Sequence, residues 1–226
     1  NGNKNFYHFR GIGTPFECGK SIAGKIKTKY MCWSGDDDYF IISGLEQSIK
    51  ILNKQRKINA LNGKTITASL KRKFLFFRRY SIYENFYSEQ KKPIERLRKI
   101  LNDYRVPFWC VFRSKVFKKT MKYVPSKSKR NLCPTRIIND EILESLLFAY
   151  FTKIYKFEFP LFIRTVPEKK YATKSARSLN KAKNFTKDQK KSLNYVSNVF
   201  VNLLETSDER KQFRYEFNKF VKKIKI

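Results

Sequence analysis

From Pro93 to Tyr104 the chain sets Ile94, Leu97, Leu101 and Tyr104 at the spacing that gathers four side chains on one helical face. Pro93 stands where a first-turn proline is tolerated, so the pattern predicts a helix that begins there. From Val106 the pattern changes. Aromatic and β-branched residues bounded by Pro107 and Pro125 enclose Arg113, Lys115, Lys118, Lys119 and Lys122, which predicts a basic β-ribbon over 107–125. Upstream, Ile49, Leu52, Ile58 and Leu61 make the apolar side of a helix, with Lys54, Arg56 and Lys57 opposite and a stop at Asn62-Gly63. Thr65 then starts a second helix. Its stripe is Ile66, Leu70, Phe74 and Phe77, and its other faces carry Lys71, Arg72, Lys73, Arg78 and Arg79.

Downstream of the ribbon, Asn139 and Asp140 offer caps for a long helix with Ile142, Leu146, Ala149, Tyr150 and Ile154 inward. Its aromatic end, Phe151 to Phe162, is broken by Pro160. Thr186 and Gln189 have capping-box spacing ahead of a stripe of Leu193, Val196, Phe200 and Leu203. Ser207, Asp208 and Glu209 open a last helix with Phe213, Phe217, Phe220 and Ile224 on its packing side. The expected fold class is mainly α, a helical bundle with one protruding β-hairpin. Residues 1–47 read as an N-terminal extension, 48–160 as the helical core with its ribbon, 161–192 as a basic arm and 193–226 as C-terminal helices.

Composition agrees with a packed body. The 226 residues are 41% hydrophobic and 16% aromatic, with only 8 Gly and 7 Pro, which argues against a sandwich cut by frequent turns. Charge says more about the partner. A net +31 would make a free compact chain repel itself, and a polyanion relieves that repulsion. Nucleic acid fits; so does an anionic membrane surface, and charge alone does not separate DNA from RNA. Between Arg164 and Lys191 basic residues sit among Ser, Ala, Asn and Thr, with few apolar groups to order them before RNA is met. Ser126 to Arg130 adds Lys127, Lys129 and Arg130.

Catalytic signals are sparse. His8 is the single histidine and has no partner motif. Cys18, Cys32, Cys110 and Cys133 are too far apart for a metal knuckle, and Cys110, between Trp109 and Val111, reads as a packed thiol. The G-I-G turn at Arg10 to Thr14 is more often a plain turn than a backbone-holding loop, and Gly19-Lys20-Ser21 lacks phosphate-loop spacing. Asp36, Asp37 and Asp38 read as a solvated acidic loop. Asp36 and Asp38 with a distant glutamate would be the centre of the alternative, a metal-dependent nuclease or RNA-processing factor. A peripheral protein on an anionic membrane is the other alternative. No apolar run is long enough for a membrane-spanning helix. Heavy use of Lys, Phe, Ile, Asn and Tyr suits AT-rich coding, in an organellar gene, mitochondrial before plastid or cytoplasmic, or in an AT-rich genome.

Four segments in order, L-N-G-K-T-I-T-A (Leu61 to Ala68), P-I-E-R-L-R-K-I-L-N (Pro93 to Asn102), R-S-K-V (Arg113 to Val116) and V-P (Val124, Pro125), resemble small-subunit ribosomal protein seven over Ile49 to about Tyr155. Two positions depart from that family: Lys118 and Lys119 stand where its ribbon has paired glycines, and Gly63-Lys64-Thr65 has one lysine fewer. The resemblance implies a bundle with a ribbon, bound to small-subunit rRNA in the three-prime major domain. Partners would be neighbouring ribosomal proteins of the head and platform, with mRNA and E-site tRNA nearby. It implies no cofactor, no metal and no catalytic residue. Recognition would run through phosphates, which carry no sequence information. The expected RNA-binding residues are Lys64, Lys71, Arg72, Arg78, Arg79, Arg113, Lys115, Lys118, Lys119, Lys122, Lys127, Lys129 and Arg130. The arm adds Lys169, Lys170, Lys174, Arg177, Lys181 and Lys183.

Overall fold

A four-residue strand, β5 (Cys110–Arg113), is buried along its whole length, and its alternation sorts the molecule into layers. Cys110 and Phe112 join the larger apolar cluster with Leu97, Phe117, Phe148, Val196, Phe200 and Phe213. Val111 faces the other way, into a smaller cluster with Leu52, Ile58, Leu61, Trp109, Leu161 and Phe162. The computed structural model describes residues 15–35, 38–71, 74–83, 85–107, 109–125, 131–135, 138–166 and 185–224. In chain order these hold α1 (Pro15–Ala23), β1 (Tyr30–Cys32), β2 (Asp38–Phe40), α2 (Ile42–Lys54), β3 (Ala60–Lys71), β4 (Phe74–Tyr83) and α3 (Pro93–Asn102). After β5 come α4 (Ser114–Tyr123), a π-helix (Ile138–Leu143) running into α5 (Glu144–Phe151), β6 (Ile154–Val166), α6 (Lys187–Leu203) and α7 (Ser207–Lys223).

Five strands lie in the order β1-β5-β3-β6-β2, and β4 joins as the second arm of a hairpin with β3. β3 and β6 run parallel; the other pairs are antiparallel, and the sheet curls into a half-barrel. The expected helical bundle with one hairpin at 107–125 is therefore not the fold. Helices α3, α4, α5, α6 and α7 together supply most of the larger cluster on one face, and α2 covers the smaller cluster on the other. Residues 15–35 and 38–47 are built into this body and do not extend from it, since β1 pairs with β5 and β2 with β6.

Ribbon and helix have exchanged places relative to the sequence reading. The helix expected from Thr65 is the β3–β4 hairpin, in which Thr65 pairs with Tyr83 and Ser69 with Arg79. Ile66, Leu70 and Phe74 are four apart, a spacing that both a helix face and every second strand position satisfy. The β-branched Thr65, Ile66 and Thr67 and the aromatic run after Phe74 resolve that ambiguity toward strand. The helix expected to stop at Asn62-Gly63 is α2, which ends at Lys54, and Gly63 lies inside β3. The long helix ends at Phe151. Beyond it the alternation of Tyr155, Phe157 and Phe159 against Lys156 and Glu158 makes β6, with Pro160 at a register shift that the ladder tolerates.

Elsewhere the periodic pattern and the structure agree. Pro93 occupies the first turn of α3, and Ile94, Leu97 and Leu101 are buried. Thr186 and Gln189 close a capping box on α6, and Phe213, Phe217 and Phe220 form the buried side of α7.

The β6 irregularity is gripped by two glycines. Gly44 of α2 packs on the Pro160 carbonyl, and a Cβ at Gly63 would stand 2.6 Å from both the Leu161 Cβ and the Phe159 carbonyl oxygen. Neither neighbour can yield without moving backbone. Gly63→Ala should therefore cost about 1–3 kcal/mol, the usual range for overpacking, seen as a lower urea midpoint at unchanged slope.

Candidate nucleic-acid interface

The expected ribbon residues from Ser114 onward fold as α4 because their apolar members keep helical time. Val116, Phe117, Thr120 and Met121 are buried. Phe117 stacks on Trp33 with centroids 5.6 Å apart and lies 6.4 Å from Phe148. Lys115, Lys118, Lys119 and Lys122 then fall at i, i+3, i+4 and i+7, one stripe on the opposite face and about 10 Å long. Lys115, Lys119 and Lys122 are exposed and Lys118 is half-exposed. The helix contains no acidic residue to neutralise them. Lys119 Nζ sits 4.6 Å from the Phe151 ring centre, and Tyr123, exposed at the end of the stripe, lies 5.1 Å from the same ring.

At its N-terminal end the stripe runs into a cleft of about 580 Å³. Thr28 and Lys29, just before β1, form one wall. Arg56, in the turn after α2, forms another, and Arg113, Ser114, Lys115 and Lys118 complete the lining. None of these side chains is a carboxylate. Long-range pairing assembles the site: β1 runs antiparallel to β5, and the Ser114 amide donates to the Lys29 carbonyl at 3.0 Å. Lys29 Nζ donates to Asn53 Oδ1 at 2.8 Å, which holds it at the rim.

Arg113 belongs to the cleft but is committed elsewhere. Its side chain is 9% exposed. Nε donates to the Ile58 carbonyl at 2.8 Å, and Nη2 donates to the carbonyls of Leu52 and Gln55 at the C-terminal end of α2. It is a clamp between β5 and α2. Lys64 is likewise occupied, 2.8 Å from Glu158, which Lys156 approaches at 3.1 Å; the two ammoniums hold the Glu158 carboxyl below its usual range.

Lys71, Arg78 and Arg79 lie along the β3–β4 hairpin, away from α4 in sequence and in the sheet. Arg72, Lys127, Lys129, Arg130, Lys169, Lys170, Lys174, Arg177, Lys181 and Lys183 fall outside the described residues. The structure thus brings Lys115, Lys118, Lys119 and Lys122 together, and adds Lys29 and Arg56. Nothing local marked Lys29, which reaches the cleft through a strand pair that spans 83 positions. The helical spacing of the four lysines was present in the sequence and would have identified the stripe.

No protein-family model and no curated protein matches this chain.

Asp36, Asp37 and His8 lie outside the described residues, and the Asp38 carboxylate accepts from Trp109 Nε1 at 3.3 Å. The Arg164 guanidinium lies over the face of that indole, 4.6 Å from the ring centre. Among the described residues no three His, Cys, Asp or Glu side chains converge on a cation site. Burial pushes the Cys32 thiol up to about 11 and Cys110 higher still, so both stay protonated and weakly nucleophilic at neutral pH. No helix among the described residues is long and apolar enough to cross a membrane.

One acid is held uncomfortably. Burial raises the Glu141 carboxyl above its usual value of 4.5, against the opposing charge of Arg164. The folded chain therefore binds that proton more tightly than the unfolded one. Its contribution to stability is full below the unfolded pKa and is lost as pH rises through the folded value. Glu141→Gln should flatten the fall in urea midpoint as pH rises above the ordinary carboxyl value of 4.5 and leave the variant more stable than the parent once that carboxyl is ionised.

Proposed function

We propose that this chain is an RNA-binding protein that works as a structural, non-catalytic part of a ribonucleoprotein particle, with the small ribosomal subunit as the particle to test first. The observation that carries the reading is the α4 stripe: four lysines on one helical face, without an acidic neighbour on that helix, opening into a cationic cleft. Lysines offer ammonium groups to phosphates, so such a surface holds a backbone and does not read base edges. Tyr123 at the end of the stripe is the kind of aromatic surface on which an unstacked base rests, which supports single-stranded or looped RNA over regular duplex DNA. The ribosomal choice rests on the order of segments that resemble protein seven. Those segments fold here as strand, helix and strand-to-helix joint, so the resemblance carries no argument about where on an rRNA the chain would sit.

A tagged copy expressed in its own cells and sedimented through a gradient decides the matter. The expected result is co-migration with the small ribosomal subunit, displacement to the top by RNase, and release by high salt. Migration as a free protein before RNase treatment would overturn the reading. Flotation with anionic vesicles after RNase would replace it with the membrane alternative.

A further inference from the structure

We propose that the cleft at the N-terminal end of α4 is a phosphate site that takes the terminal phosphomonoester of an RNA chain. The inference rests on the RNA reading for the polymer, but not for the phosphate. α4 has ten residues, and its N-cap residue, Arg113, gives it no side-chain cap. The Ser114 amide is used by the Lys29 carbonyl; the amides that follow have no helical acceptor, and the positive end of the helix dipole faces the same way. An anion is the natural occupant of such an end.

A second observation points independently to a ligand. The Ser114 side chain is 4% exposed, and its hydroxyl oxygen has no hydrogen-bond partner among the described residues. A buried hydroxyl left unmatched is costly to hold in the fold, and Ser114 lines the same cleft. Lys29, Arg56, Lys115 and Lys118 supply the cationic walls, with no carboxylate among the lining side chains. Charge distinguishes the kind of phosphate. A phosphodiester brings a single negative charge and must leave the cleft at two ends, whereas a monoester brings about −1.5 to −2 at neutral pH and leaves at one. A cleft of about 580 Å³ is also within the range that holds a small ligand, large enough for a phosphate with its attached ribose. The rest of the strand would leave the cleft along Lys119 and Lys122.

The test measures binding of the full chain to one short single-stranded RNA carrying a 5′-phosphate, a 3′-phosphate or hydroxyls at both ends. The expected result is a preference of about tenfold for one phosphorylated end over the hydroxyl form. That preference should fall toward unity in Arg56→Ala and in Ser114→Ala, the second being small enough to keep the fold. Equal affinity of all three RNAs for the parent chain would overturn the proposal. If no RNA binds, the RNA reading has failed, and titration with inorganic phosphate followed by amide chemical shifts decides the site alone. Shifts at Lys115 and Val116 that disappear in Arg56→Ala sustain a phosphate site; none sink it. Phosphatidic acid vesicles form the last arm. Binding to them that is stronger than to any RNA and lost in Arg56→Ala would overturn an RNA end as the ligand.

Discussion

Replacing Lys115, Lys118, Lys119 and Lys122 together by alanine is expected to weaken RNA binding by about 10² to 10³-fold at physiological salt. The figure follows from counterion release. Each lysine that neutralises a phosphate contributes about 0.7–0.9 to the slope of log affinity against log salt, so four lost contacts flatten that slope by about 3. Projected from a 1 M reference to about 0.15 M, the same four contacts amount to between two and three decades. The fold should survive, because Lys115, Lys119 and Lys122 are exposed and alanine is the best helix former available. Lys119 gives up a packing contact, its ammonium over Phe151. Anisotropy titrations at three salt concentrations, with thermal melts as the folding control, measure both quantities. A quadruple variant that melts like the parent and keeps the parent's salt slope would remove α4 from the interface.

The same residues carry the pattern expected of a β-ribbon, and they fold as a helix for a local reason. Prolines at 107 and 125 and the aromatic run between them suggested extended chain, yet among the described residues of that stretch only Cys110–Arg113 is strand. What decides the rest is the complementarity of two sets, Val116, Phe117, Thr120 and Met121 inward and the four lysines outward, both with helical period. In β3 the opposite happened. Ile66, Leu70 and Phe74 fit a helix by spacing alone, and the strand is fixed instead by parallel pairing with β6, almost a hundred positions later in the chain. Non-local pairing is what a periodic reading does not contain, which is also why the N-terminal segment, paired through β1 and β2, looked like an extension.

The C-terminal helices needed no such information. Their capping residues and phenylalanine stripes are local, and both helices form where the pattern places them; α7 starts at Ser207 as expected, and Thr206 caps it together with Glu209. The spacing T-x-x-E at Thr206 to Glu209 carried that signal. The candidate site divides along the same line. Its four lysines are a local pattern, misassigned but present; its cleft exists only because β1 lies against β5 and brings Lys29 beside the start of α4.

Arg113 separates the two kinds of information most sharply, because its charge suggests RNA and its surroundings assign it to the fold. Arg113→Met should lower stability by about 3 kcal/mol, near 6–12 °C in melting temperature for a chain of this size. Methionine keeps much of the apolar volume but takes the guanidinium donors away from the buried carbonyls of Leu52 and Ile58, while the Gln55 carbonyl keeps the Ile58 amide. Arg113→Lys should recover little, since one ammonium cannot match the fork that serves α2 and β5 at once. Affinity for RNA, corrected for the folded fraction, should fall far less than in the quadruple lysine variant. The two effects are read on one protein by a urea titration and an anisotropy titration at a temperature where the variant is folded. Parental stability combined with a large loss of RNA affinity would mean that the guanidinium leaves α2 to meet phosphate, and the clamp would have to be abandoned.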